Sequence, residues 1–397
     1  RLATALIYIE NFLHKAIDKS NSNAVISFIT SRYWITSSGS RSLIKRIRDE
    51  LSFIDILDIG KVKVFDKVIG QHIVCTYSKK KVTKFYYKKI SNNINDIFSS
   101  KNTKNIKINV FNQKQIFKEN GEINFNKSII DYNKENYKKV DDGGIVPLFK
   151  VSQGLIESPD KISKKSLTEK PSKEIKIGDG VFVINKEELL KINPSKIEKQ
   201  IIKKYLSSSD VEKYKIDYKN QYLIYSNSEY EKKIEKKEFL NLHNHLKRFR
   251  KYITSDNAPF GLNRPRNESF FLEPKIIFKN MFLEPSFTYD DQKYYVGFSF
   301  AVIIENSKTP LKYLLALLNS KYGFYWFINN AKERGVGFDV TLEKLRSFPV
   351  PNIINENKKE LDRIINIVET LLSKNNSDQL LLDQIDKLIF KICKLED

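Results

Sequence analysis

The opening stretch switches between two periods, and that switch restricts the fold more than any other feature of the chain. Leu2, Leu6, Ile9, Leu13 and Ile17 recur at three- and four-residue steps, which sets them on one face of an amphipathic helix. The polar residues 20–23 end it. Residues 24–30 then form a short, β-branched apolar run, the pattern of a strand buried on both faces. Ser40 is placed to cap a second helix whose apolar stripe is Leu43, Ile47 and Leu51. Strands are expected over 54–59, closed by Gly60, and over 72–77. Helix, buried strand, helix, strand, loop, strand is the rhythm of an α/β sheet. Residues 1–90 therefore read as one edge of such a sheet, too short for a complete doubly wound domain.

Beyond it the composition changes. Residues 88–142 are rich in Asn and Lys with scattered Ile and Phe, and 91–144 reads as a linker with a small strand-rich subdomain. Asp141-Asp142-Gly143-Gly144 is a turn signal. A mixed α+β unit is expected over 145–352. Within it, 190–252 reads as helix and loop, 275–278 and 294–304 as strands, and 311–328 as one long apolar helix. A helical hairpin closes the chain over 353–397. Leu361, Ile364, Ile365, Val368, Leu371 and Leu372 line one arm, Asn375-Asn376-Ser377 is the turn, and Leu382, Ile385, Leu388, Ile389 and Ile392 line the other.

Charge narrows the function. Lys and Arg number 69 against 48 Asp and Glu, a net +21, so the chain is drawn to polyanions. Nucleic acid is the first partner this implies and an anionic membrane surface the second; a merely Lys-rich solvated surface has the same composition. With 41% hydrophobic and 12% aromatic residues the chain is not a disordered polycation. Two cysteines, Cys75 and Cys393, exclude a disulfide framework and a CxxC zinc site and suit a reducing cytoplasm. Every long apolar run is interrupted by Lys or Asp, so no membrane span is expected. His243-Asn244-His245 is not read as a metal or nuclease site, because contiguous residues on a helix point in different directions. Gly178-Asp179-Gly180 is read as a turn, since no Lys-Ser/Thr follows as in a phosphate loop.

Seven segments, in order, carry a resemblance. They are residues 26–34, ISFITSRYW; 56–60 with Val64-Phe65, ILDIG…VF; 205–214, YLSSSDVEKY; 260–266, FGLNRPR; 314–320, LLALLNS; 345–351, LRSFPVP; and 385–389, IDKLI. Together these resemble the adenine-specific (N6) DNA methyltransferases of type IIG restriction-modification systems with a TaqI-like C-terminal specificity domain. Asn263 stands where the family's G-L-H-R-P-R element has His. The resemblance implies the remnant of a Rossmann-like methyltransferase sheet, then an α+β target-recognition domain and the helical hairpin. It implies S-adenosyl-L-methionine as methyl donor and double-stranded DNA as partner. The family's Gly-rich donor loop and its Pro-Pro catalytic loop are both missing from this sequence. The chain thus reads as a fragment beginning just after the catalytic loop, inactive by itself.

Methylating the exocyclic amine of adenine requires the base to leave the stack for a pocket with aromatic faces. By this resemblance Phe12 is a candidate for that pocket, and Tyr33 and Trp34 are candidates because they sit at the C-terminal end of a parallel-type strand, where α/β sheets bind ligands; packing in the core or wall is the alternative for each. Lys247, Arg248 and Arg250 interleave with aromatics, which suits phosphate contacts and equally a solvated helix face. Arg264 and Arg266 bracket Pro265, which stiffens their loop and makes them candidate DNA contacts. Lys332 and Arg334 lead into Gly335-Val336-Gly337, a basic loop or an ordinary helix end. The rival assignment is a stand-alone DNA specificity subunit partnering a separate methyltransferase; the first 80 residues argue against it. An RNA-binding module would need an aromatic RNP strand or a GXXG loop, and neither is seen.

Overall fold

The structure, a computed structural model, describes residues 2–60, 62, 64, 71–90, 106–117, 121–125, 137–144, 146–254, 259–334, 337–353 and 355–394. Phe65, Ile145, Gly335 and Val336 lie outside the described residues, as do the side chains of Leu2, Leu6, Ile9, Glu333 and Arg334. The chain divides into two compact units, Arg1–Ile129 with Lys332–Phe338, and Ile130–Ala331 with Asp339–Asp397.

The first unit runs α1 (Leu2–Lys19), β1 (Val25–Ser31), a 3-10 turn (Arg32–Thr36), α2 (Arg41–Glu50), β2 (Ser52–Gly60), β3 (His72–Ser78), β4 (Lys84–Ile90), β5 (Ile106–Asn112) and α3 (Gln113–Ile116). Its strands form one sheet in the order β1-β3-β2-β4-β5. Both β1 and β2 are antiparallel to β3, so they run parallel to each other, with α2 crossing over and β3 slotted between them. Leu13, Ile17, Leu43, Ile47, Phe53 and Phe85 form the core against the sheet.

Two expectations fail here. β1 is not buried on both faces, since Val25 is 62% and Ile29 42% exposed. It is an antiparallel strand paired along one edge, which needs only one face in the core. Nor does the sheet stop at residue 90. β5 joins it, and Phe111, Ile116, Ile123 and Phe125 enter the same core, with Phe125 stacked 5.1 Å from Tyr87. The Lys and Asn around them masked an apolar alternation.

The second unit runs β6 (Tyr137–Lys139), β7 (Phe149–Gln153), α4 (Lys164–Glu169), β8 (Val183–Asn185), α5 (Lys186–Ile192), β9 (Ile202–Leu206), β10 (Val211–Glu212), β11 (Lys215–Ile216) and β12 (Gln221–Ile224). It continues with α6 (Ser228–Glu235), α7 (Leu240–Arg248), α8 (Ser269–Leu272), β13 (Lys275–Lys279), β14 (Met281–Phe282), β15 (Phe287–Asp290), β16 (Tyr295–Val296) and β17 (Phe300–Glu305). Helices α9 (Leu311–Asn319) and α10 (Lys321–Asn330) follow; β18 (Lys332–Arg334) belongs to the first unit. β19 (Gly337–Asp339) straddles the division, Gly337 and Phe338 falling in the first unit, and the end is α11 (Leu342–Arg346), β20 (Pro349–Pro351), and the paired helices α12 (Lys358–Lys374) and α13 (Gln379–Cys393).

Two four-stranded sheets, β16-β9-β12-β8 and β15-β13-β17-β7, organise this unit. Four strands thus lie within 190–252, where helix and loop were expected. In β9 the pair Lys203-Lys204 interrupts the apolar pattern, and each lysine rides over a tyrosine ring, Lys203 over Tyr295 and Lys204 over Tyr294. The expected 311–328 helix is two helices. Ser320 has extended backbone and its side chain accepts from Gly323 N, starting α10 afresh. Asn319, buried at the break, bonds Phe287 through both arms of its amide, accepting from Phe287 N at 3.0 Å and donating to its carbonyl at 2.9 Å.

The strand expected over 294–304 is likewise broken, because the chain changes sheets in the middle. β7 pairs with β17 as far as Gln153, and two residues later Leu155 N donates to Val296 O at the end of β16. Two segments therefore pass between the sheets at the same point, with Gly154 against Gly297. A Cβ on Gly154 would sit 2.0 Å from the Gly297 carbonyl oxygen, and one on Gly297 would sit 2.4 Å from the Tyr205 hydroxyl. Gly154→Ala is expected to cost about 3 kcal/mol or more in urea unfolding, because backbone must move to admit the methyl group. Gly39→Ala, whose Cβ meets nothing nearer than 3.7 Å, should stay within roughly 0.5 kcal/mol of the parent.

Candidate nucleic-acid interface

Residues 154–158 build a platform beside the crossing. Ile156 and Arg264 exchange two backbone hydrogen bonds, of 2.9 and 3.0 Å, forming an antiparallel bridge that fixes the 260–266 loop. Asn263, in place of the family's His, donates its side-chain amide to Ser158 Oγ at 3.5 Å. Leu262 N donates to Ser226 O, and Leu262 is fully buried. Arg266 takes a left-handed φ of 63°, a conformation uncommon outside glycine. Its Nε donates to the Gly154 carbonyl at 3.3 Å, while its own carbonyl accepts from the Tyr225 hydroxyl at 3.4 Å.

The two guanidiniums differ in setting. Arg264 is exposed and Arg266 partly buried. Burial, and then the nearby charge of Arg264, lower the Arg266 pKa from its ordinary value. Among the described residues neither arginine is paired with a carboxylate. A partly desolvated cation pair on a pinned backbone has unmet affinity for an anion or for a base edge with two acceptors.

Beneath lies Glu157, 7% exposed, accepting from the Tyr205 hydroxyl at 2.7 Å. Burial pushes its carboxyl up to about 7, against the opposing effect of that hydrogen bond. Above the crossing, residues 297–300 make a tight turn in which Phe300 N donates to Gly297 O at 3.0 Å. Phe298 at its tip is 60% exposed. Sequence reading missed this turn; the signal was Gly297 inside an apolar run, which marks a close backbone approach.

The other candidates fall into separate groups. Lys247, Arg248 and Arg250 are exposed at the C-terminal end of α7, where cations complement the helix dipole, and Arg248 lies 5.4 Å over Phe249. His243 and His245 are both buried, each with a ring nitrogen on a backbone carbonyl, of Ile234 and Val181 respectively. In the first unit, Phe12 and Trp34 line one apolar cavity of about 150 Å³ with Leu13, Phe28, Ile29, Thr30 and Tyr77. Trp34 is 1% exposed and donates Nε1 to Thr30 Oγ1, making it wall, whereas Phe12 is 63% exposed at the rim. Tyr33 is half-buried on the adjoining 3-10 turn and does not line that cavity. β1, expected to be a parallel strand with these residues at its C-terminal end, is antiparallel to β3. Lys332, expected in a loop, is on β18, which packs beside the same turn. Asp58 holds the turn in place through an ion pair with Arg32 at 3.0 Å and a bond from the Tyr87 hydroxyl.

Residues 203–350 match the model of one protein family, the TaqI-like C-terminal specificity domain. That span contains β9, the 260–266 loop and the Phe298 turn. The Type II methyltransferase M.MjaIV of Methanocaldococcus jannaschii is 22% identical over 227 residues, 53% of this chain and 74% of that protein. The fold is shared with the Type IIL restriction-modification enzyme MmeI, solved in complex with DNA, at a TM-score of 0.63 and 11% identity over 97% of this chain and 48% of MmeI. The chain thus spans about half the length of that solved enzyme. The resemblance to methyltransferases carrying a TaqI-like specificity domain stands.

The buried acid under the loop makes stability depend on pH. Its folded pKa lies above the roughly 4.3 of an unfolded glutamate, so between those values the folded chain holds a proton that the unfolded chain has lost. The contribution is full below about pH 4 and is lost as pH rises through about 7. Glu157→Gln keeps the Tyr205 acceptor and removes the titration. Relative to the parent it should be more stable at pH 8, by up to about 3 kcal/mol, and nearly equal at pH 4 in urea melts. An unchanged difference between those pH values would contradict the assignment.

Proposed function

We propose that this chain recognises double-stranded DNA sequence-specifically, as the target-recognition part of a site-specific adenine-N6 methyltransferase of a restriction-modification system. The carrying observation is the pair Arg264 and Arg266, unpaired with any carboxylate among the described residues and fixed on a pinned loop inside the specificity domain. Arginine presents two parallel donors to guanine O6 and N7, and a fixed backbone leaves little entropy to lose on contact. The net charge of +21 supplies attraction to phosphates irrespective of sequence. Lys247, Arg248 and Arg250 act as phosphate contacts in this reading, and Lys332 and Arg334 as a further basic edge.

In the first unit, β3 lying antiparallel between the mutually parallel β1 and β2 supports reading it as the edge of a Rossmann-like methyltransferase sheet. Phe12 at the cavity rim offers a ring for the extruded adenine, with Trp34 as the wall behind it and Tyr33 on the adjoining turn. S-Adenosylmethionine would supply the methyl group, but the residues present do not fit its site. β1 passes directly into the 3-10 turn with no glycine before Gly39, and neither a Gly-rich donor loop nor a Pro-Pro loop occurs in the sequence. The role assigned to this chain is to grip and orient DNA, with donor binding and catalysis supplied by other polypeptide.

Arg264→Ala should weaken binding to the preferred duplex by about 1–3 kcal/mol and relax selectivity at one base pair. Parent affinity should fall steeply between 50 and 200 mM salt. A flat salt response would remove the DNA reading, and an equal loss on all sequences would reduce Arg264 to a phosphate contact. For the enzyme reading, labelled S-adenosylmethionine and unmethylated genomic DNA are incubated with the chain alone and with the chain combined with polypeptide bearing the two missing loops. Label is expected only in the combination, on adenine N6 within one short recurring sequence; label on cytosine would overturn the adenine assignment.

A further inference from the structure

The turn at the crossing presents a large apolar ring to solvent on unusually stiff backbone. The Phe298 carbonyl accepts from Gln153 Nε2 at 2.6 Å and from Asn280 Nδ2 at 2.9 Å, so side chains from β7 and from the end of β13 grip it. Gln153 Nε2 also donates to Phe300 O at 2.7 Å, and Asn280 N donates to Ser299 O. Just before the ring, Gly297 has no room for a Cβ against Tyr205 and Glu157. The Gly154 carbonyl, whose residue packs on Gly297, holds the Arg266 guanidinium. The exposed ring and the partly buried cation therefore stand on the same joint.

A lone exposed Phe is ordinary on a protein surface. One fixed by four hydrogen bonds at its turn, on the joint that also holds a guanidinium without a carboxylate partner among the described residues, has the attributes of a stacking contact. Its backbone has no further freedom to lose on binding, and its face is apolar while its neighbours attract phosphate. We propose that Phe298 is a wedge that presses into the base stack of bound duplex DNA next to the Arg266 contact. This rests on the DNA-binding reading above. A wedge of this kind unstacks one base step, which favours flexible pyrimidine–purine steps at that position.

The test begins with the 397-residue chain and a 30-bp duplex pool with a randomised core. The sequence it enriches is then made with 2-aminopurine at each position in turn. Parent protein should raise fluorescence at one step on binding. Phe298→Ala should bind the same duplex about tenfold more weakly, abolish that rise and lose the preference at that step, whereas Phe298→Tyr should keep all three. Unchanged affinity and fluorescence in Phe298→Ala, with DNA binding intact, overturns the wedge and leaves the DNA reading standing. Loss of self-association by Phe298→Ala with unaltered DNA behaviour would also overturn it, in favour of a protein contact. Failure of the parent to enrich any duplex overturns both.

Discussion

Gly154 lying against Gly297 is the contact on which the second unit turns. Two β-sheets of four strands each must be joined, and two of the chain's passages between them meet at one point where Gly154 has room for only a hydrogen atom against the Gly297 carbonyl. Once the crossing forms, Leu155 is committed to β16, Ile156 to Arg264, and Glu157 to the Tyr205 hydroxyl. The 260–266 loop, which carries the proposed DNA contacts, is thus held by the joint between the sheets. That arrangement matters because base readout needs donors held to within about half an ångström, which sites built on loops alone rarely achieve.

The same joint explains the buried carboxyl. A glutamate at 157 costs stability above neutral pH, where an apolar residue would not. What it supplies is an acceptor for Tyr205 in the space that Gly297 leaves vacant, so hydroxyl, carboxyl and absent Cβ fit as one packed set. Loss of any member leaves either a hole or an orphaned polar atom at the Gly154–Gly297 crossing.

Periodicity made much of this legible. The amphipathic helices, β2, β3 and the closing helix pair follow from apolar spacing, and Arg264 and Arg266 stood out because they flank Pro265. The parts that were not legible share one cause: tertiary partners overrode local pattern. β9 hides as a charged segment because its two lysines lie over tyrosine rings. β5 hides within Lys and Asn. The break at Asn319-Ser320 is invisible to apolar spacing, since both flanking helices are apolar and the interruption comes from a side-chain amide pairing with a distant strand. Phe298 was passed over because alternation says strand, and only the space around Gly297 says turn.

The segments that carry the family resemblance are mostly joints. Asp58 gathers Arg32, Tyr87 and Gly60 N; Asp210, 1% exposed, takes Ser207 N at 2.8 Å and the Ser209 hydroxyl; Asn319 pins Phe287; Asp386 accepts from Lys321 N at 2.8 Å at the start of α10. Each is a polar side chain satisfying backbone or buried donors where the chain changes direction. A fold built on such joints is recognisable from sequence because the joints tolerate few alternatives. On the proposed reading the target site is not, because it would depend on side chains such as Arg264 and Phe298 that the joints merely hold out, and a different side chain there leaves the backbone bonds of the joints intact. The scaffold and the specificity are therefore encoded in different residues, separated by only a few positions in the same loop.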